Sequence, residues 1–149
     1  MRIALFEPEI AGNVGAVMRL GACLGIAVEL IEPMGFDWDD RRVRRTAMDY
    51  IDHVSVRRHV GFEAFRAACP GRLVLFTTRA DARLHDARFA PDDILMFGKE
   101  SAGVPANVDG RCDLRLRIPQ RAEVRSFNLA TAAALAAGEA LRQTGLLPR

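Results

Sequence analysis

The sequence predicts an α/β fold, a mostly parallel sheet with helices on both faces. Three observations predict it. Short apolar runs alternate along the chain with segments of helical period. The runs are continuously apolar, the pattern of strands buried on both faces. Several end in loops rich in glycine, proline or polar residues, where such folds bind their ligands. At 149 residues, half of them hydrophobic and 27% charged, the chain fits one globular domain with a real core, residues 1–149.

The elements follow in order. RIALFEP (2–8) is an apolar run closed by proline and reads as a buried strand. In EIAGNVGAVMRLGACLG (9–25), Val14, Val17, Leu20 or Gly21, and Leu24 recur at helical spacing, with Asn13 placed to cap and Gly25 to end the helix. AVELIEP (27–33) is a second strand, and DDRRVRRTAMDY (39–50) a charged helix with acidic residues at its start. A helix around GFEAFRAAC (61–69) leads into the strand RLVLFTT (72–78). DILMFG (93–98) and LRLRIP (114–119) are two more strands. A last helix runs from about Phe127 to Arg142, with Ser126 as its N-cap and Gly145 just past its end.

Composition narrows the function classes. No apolar run reaches membrane-spanning length and no signal peptide opens the chain, which leads to the expectation of a cytoplasmic protein. Cys23, Cys69 and Cys112 lie far apart, and with His53, His59 and His85 they form no zinc spacing, so they read as small hydrophobes and no metal is expected. The net charge of +2 hides an asymmetry. Residues 1–40 are net acidic, residues 41–149 are net basic, and every cation but Lys99 is arginine. Arginine forks suit phosphates, so an RNA partner fits; arginine usage in a GC-rich genome explains the same composition, and on composition alone it is preferred.

Three strand ends carry suggestive loops: FTTRAD (76–81), FGKESAGVP (97–105) and IPQRAEVRSFN (118–128). A Walker A loop is excluded, because Asp93 stands where its first glycine belongs and Glu100 where its hydroxyl belongs. A dinucleotide fingerprint is also excluded, since Gly12 and Gly15 do not make GxGxxG. A plain turn accounts for Gly98 and Gly103 taken alone. Three such loops on one small sheet favour a binding site.

FGKESAGVP resembles the second signature of the SPOUT superfamily of RNA methyltransferases. IPQRAEVRSFNLA resembles the third, and EIAGNVGAVMRLGACLG the first, in the family's order and spacing. EPEIAGNVG and IEPMGFDWDDRRVRR are similar to the short tRNA 2′-O-methyltransferases of the wobble nucleotide, the TrmL type. The resemblance spans essentially the whole chain. It implies a C-terminal deep trefoil knot, S-adenosylmethionine as methyl donor, tRNA as substrate and a homodimer. It implies cofactor contacts at Phe76, Thr77, Gly98, Glu100, Gly103, Ile118 and Ser126, made through backbone groups with few ionisable side chains. Glycines at 98 and 103 would let the backbone approach the adenosyl group.

The same resemblance places catalytic roles on Arg19, Glu100, Ser126 and Asn128. Arginine is a poor general base, because losing its proton near neutral pH costs about 8 kcal/mol. Arg19 is therefore read as holding ribose or phosphate and stabilising the developing alkoxide. Glu100 orients an arginine or the ribose, or else braces the loop. Asn13 caps its helix or meets RNA, and Asn128 positions the ribose or braces the knot. Lys99 departs from the family pattern and reads as solvated. Arg41, Arg42, Arg44 and Arg45 are the leading RNA-contact patch. The alanine-rich last helix serves either an intrachain core or the dimer. Methylation elsewhere in tRNA or rRNA, or nucleotide binding without transfer, are the competing readings.

Overall fold

The structure, a computed structural model, describes residues 1–38 and 48–149. Six of its strands form one sheet: β1 (Arg2–Phe6), β2 (Ala27–Ile31), β3 (Val56–His59), β4 (Leu73–Phe76), β5 (Ile94–Phe97) and β6 (Leu114–Leu116). Their order is β3-β2-β1-β5-β4-β6, and each neighbouring pair is parallel. Among the described residues four α-helices accompany them: α1 (Ala11–Leu24), α2 (Phe62–Ala68), α3 (Ala106–Asp109) and α4 (Leu129–Thr144).

Successive strand residues point to opposite faces, so the continuous apolar runs feed two cores. Ile3, Leu5, Leu30, Val74 and Leu95 pack toward α1 and α4. Ala4, Phe6, Leu73, Leu75 and Met96 pack toward α2 and α3. On α4, Ala133, Ala136, Ala137 and Ala140 are fully buried at helical spacing. This small-residue stripe lies in the chain's own core, and α4 packs on α1.

Several sequence expectations need correction. The last helix starts at Leu129 and its N-cap is Asn128, not Ser126. The side chain of Asn128 accepts from the N–H groups of Ala130 and Thr131. Asn13 lies inside α1, whose N-cap position is Ile10. The strand ends come earlier than expected, at Phe76 and Leu116. Of the helix expected over 39–50, only the end is described, as a 3-10 turn over Met48–His53. β3 and α3 were not expected at all. Gly25 and Gly145 do end their helices in left-handed conformation, at φ 68° and 70°.

Within β2, Glu29 is fully buried yet charged. Its Oε1 accepts from Arg2 at 2.7 Å and Arg57 at 2.9 Å, and its Oε2 lies 2.7 Å from His59 Nε2.

Candidate active site

Strand β1 is flanked by β2 on one side and β5 on the other, so the strand order reverses between β1 and β5. Ligand sites of open parallel sheets lie beyond the carboxyl ends of the strands at such a point. Here β4 and β5 end at Phe76 and Phe97, whose rings stack at 5.1 Å with 12° between planes.

The loop after β5 closes on itself. Lys99 and Gly103 each donate a backbone N–H to the other's carbonyl, both at 2.9 Å. Gly98 sits against this closure: a Cβ there would lie 2.4 Å from the carbonyl carbon of Gly103. Gly103 adopts φ +69°, where side chains are strained. The first demand on these glycines is thus the loop's own packing, not the approach of a ligand.

A bracket ties this loop to the connection between β1 and α1. Glu100 Oε2 accepts from the N–H of Glu9 at 2.8 Å, and its Oε1 from the N–H of Ile10 at 3.3 Å and Asn13 Nδ2 at 3.1 Å. A carboxylate at the positive end of α1 supplies the acceptor that Ile10 lacks. In return, Glu9 accepts from the N–H and Oγ of Ser101, both at 2.8 Å. These bonds hold the Glu9 carboxyl below its ordinary value, the Ser101 hydroxyl foremost. Lys99 is not simply solvated. Its Nζ lies 2.6 Å from Glu7 Oε2, and that bond raises its pKa. Glu7 itself is left-handed at φ 45°, uncommon for a residue with a side chain.

The network continues to the third loop. Asn13 Oδ1 accepts from Asn128 Nδ2 at 2.9 Å, and Asn128 Oδ1 caps α4. One polar chain therefore runs from Glu100 through Asn13 and Asn128 to the start of α4. It joins all three signature segments.

Together the three loops enclose a cavity of about 630 Å3. That lies within the ~300–1,000 Å3 common for small-molecule sites. Phe76, Thr77, Gly98, Glu100, Gly103, Ser126, Asn128 and Asn13 all line it. Ile118 and Arg19 are not among its lining residues. Ile118 packs against the core, and the Arg19 guanidinium lies 4.8 Å from the Tyr50 ring centre. Arg19 is six residues beyond Asn13 on α1, about 9 Å along the axis at ~1.5 Å per residue. Arg41, Arg42, Arg44 and Arg45 lie outside the described residues.

The lining is more charged than expected. Besides Lys99 and Glu100 it includes Arg79 and Arg125, which sequence reasoning missed although both stand in loops it singled out. Glu9 and Ser101 were also missed; their only signal was an acidic residue and a hydroxyl beside the two glycine-bearing segments.

Comparison with known proteins fits this geometry. Residues 1–138 match the model of the SpoU rRNA Methylase family. The chain belongs to the SpoU methylase family. It is 50% identical to a tRNA (cytidine(34)-2'-O)-methyltransferase of Beijerinckia indica, over 99% of this chain and 94% of that one. A solved structure from work on the 2-OH methylation of C/U34 on tRNA matches with a TM-score of 0.91 and 43% identity, covering 95% of this chain and 94% of that one. The SpoU methyltransferase AviRb of Streptomyces viridochromogenes, solved with AdoMet, matches at a TM-score of 0.82 and 27% identity, covering 96% of this chain and 57% of that one.

The site suits the methyl donor of this family. Leu75, Phe76 and Phe97 give the cavity an apolar part beside the polar residues of its loops. One other donor cluster is Glu29, His59 and Cys69, whose ligand atoms lie within 4.8 Å of one another. Arg2, Arg57 and His59 already occupy the Glu29 oxygens, and two guanidinium groups there oppose a metal cation.

Proposed function

We propose that this chain transfers a methyl group from S-adenosylmethionine to the ribose 2′-hydroxyl of nucleotide 34 in tRNA. The observation that carries the reading is the convergence of all three signature segments on one cavity. The near full-length similarity to cytidine-34 2′-O-methyltransferases supports the substrate.

S-adenosylmethionine supplies an electrophilic methyl group when bound. The chain's own residues do the rest. Phe76, Thr77, Gly98, Gly103 and Ser126 form the cofactor's surroundings, without Ile118, which packs against the core. Glu100, Asn13 and Asn128 are positioning residues: they fix the loop, α1 and α4 in one arrangement. Arg19 meets the ribose or its phosphate from outside the cavity lining and stabilises charge developing on the 2′-oxygen; the O–CH3 bond forms as the S–CH3 bond breaks, S-adenosylhomocysteine leaves and the hydroxyl proton passes to water. The arginines of 41–45 add phosphate contacts. In this reading the reaction uses no metal, and a tRNA substrate fits a cytoplasmic protein.

The test is transfer of labelled methyl to unmodified tRNA, mapped by digestion and mass spectrometry. A 2′-O-methyl mark at nucleotide 34, reduced at least ~100-fold by Arg19→Ala, is the expected result. A mark at another position would keep the chemistry and move the substrate. Near-normal turnover by Arg19→Lys would refute a specific guanidinium role.

One domain carries this reaction in the proposal, its C-terminal part threaded as a deep trefoil knot and two copies paired as a homodimer. Leu135, Leu146 and Leu147 on and after α4 are 43%, 45% and 45% exposed, apolar area that a partner copy would cover. Sedimentation should give a dimer, and Leu135→Arg should shift it toward monomer. A wild-type monomer at micromolar concentration would refute the pairing.

A further inference from the structure

The cavity rim sorts its own charges. Lys99 is held by Glu7, and Glu100 is consumed by two backbone N–H groups and Asn13. Arg79 and Arg125 remain. Both are exposed, and among the described residues neither guanidinium has a carboxylate partner. Most other described arginines do, as Arg72 has Asp93 and Arg83 has Asp86.

Each backbone makes one local hydrogen bond. Arg79 sits in the turn after β4, its N–H directed at Thr77 Oγ1 at 3.4 Å. Its side chain crosses the glycine loop, one guanidinium nitrogen lying 3.6 Å from where a Cβ on Gly103 would stand. Arg125 immediately precedes Ser126, and its carbonyl accepts from Gln120 Nε2 at 2.9 Å. Two different loops thus deliver two uncompensated cations to one rim.

Such a pair calls for an oxyanion. Two sources exist in the proposed reaction: the methionyl carboxylate of the cofactor and the phosphates of the RNA. The cofactor as a whole is a cation, since its sulfonium and ammonium outweigh one carboxylate. Two unpaired guanidinium groups offer such a net cation no gain, whereas a polyanion gains from both. Guanidinium forks also match phosphate geometry.

Resting on the proposed transfer to tRNA, we infer that Arg79 and Arg125 form a phosphate clamp. They grip the backbone beside the target nucleotide and hold its ribose at the cavity mouth. They are positioning residues: they add no group to the reaction, but they convert a loose encounter into a fixed one.

The test compares Arg79→Ala, Arg125→Ala, the double alanine variant and the double lysine variant with wild type. Four quantities are read: tRNA affinity across salt concentrations, KM and kcat for tRNA, and cofactor affinity by calorimetry without RNA. The double alanine variant should raise KM for tRNA about tenfold or more and flatten the slope of log K against log salt by about 1.4, at ~0.7 per single-strand phosphate. Its cofactor affinity should stay within about twofold of wild type, which also shows that the cavity is folded. The double lysine variant should regain the salt slope, as charge alone suffices for it. Weakened cofactor binding with an unchanged salt slope would overturn the inference and make the carboxylate the bound anion. No change in any quantity would overturn it as well. Failure of wild type to mark nucleotide 34 would refute the functional reading instead, and the salt slope would still decide the clamp.

Discussion

At the scale of single residues, Gly98 shows why this loop admits so little change. Its α-carbon faces the backbone of Gly103, with Cβ positions at 2.4, 2.6 and 2.7 Å from the carbonyl carbon, α-carbon and carbonyl oxygen of that residue. None of these is the end of a flexible side chain, so the loop itself must move. Gly98→Ala should therefore open the paired hydrogen bonds between Lys99 and Gly103. Overpacking typically costs about 1–3 kcal/mol, and rigid backbone puts this case toward the upper end. Thermal unfolding should shift down accordingly, and cofactor affinity should fall by more than the stability loss alone explains. A variant with wild-type affinity would show that loop closure does not shape the cavity. Gly12 provides the contrast, since nothing lies within 4 Å of a Cβ there.

At the scale of elements, the two helix starts at the site are capped in different ways. Asn128 caps α4 locally, and its amide also reaches Asn13. Losing it should cost about 1–2 kcal/mol, from a missing cap and a broken bond to α1. Ser126 lines the cavity but caps nothing, so Ser126→Ala should change stability by less than about 0.5 kcal/mol. Both variants should lose methyl transfer, and only Asn128→Ala should lose stability; equal destabilisation would refute this division. The same pair explains what was legible in the sequence. Helical period, the glycine stops and the apolar strands were readable because they are local. The start of α1 was not, because its capping acceptor, Glu100, comes from 90 residues away. Nor was β3, whose VRRH segment has arginines where an apolar run was sought. Arg57 and Arg58 are tolerated on this edge strand because Glu29 and Glu32 of the adjoining segment neutralise them. The signature loops were readable as a set, but their reciprocal bracket, Glu100 with the N–H of Glu9 and Glu9 with Ser101, joins residues 91 and 92 positions apart in the chain.

At the scale of the whole molecule, stability is coupled to pH through carboxylates that are more acidic folded than unfolded. Burial pushes the Glu29 carboxyl up, but hydrogen bonds from His59, Arg57 and Arg2 outweigh it and leave its pKa below the ordinary 4.5. Glu9 and Asp86 shift in the same direction, and Glu139 falls to about 2 under the pull of Arg142 and Gln143. A depressed folded-state pKa means the unfolded chain binds more protons near pH 4. The stabilisation is therefore fully present above the ordinary carboxylate range and is lost as pH falls through it toward the folded-state values. Denaturant midpoints should be nearly flat from about pH 7 to pH 5 and then drop, with several groups contributing to the slope. Glu29 is the deepest of them, since it joins β1, β2 and β3 through Arg2 and Arg57. Glu29→Gln should lower stability at pH 7 and make the acid limb shallower. Breaking a buried pair costs about 3–5 kcal/mol, and the low end applies because the Arg2 and Arg57 side chains are 38% and 46% exposed and regain water readily. Wild type as stable at pH 3.5 as at pH 7, or Glu29→Gln with an unaltered acid limb, would show that this buried charge does not set the acid sensitivity of the fold.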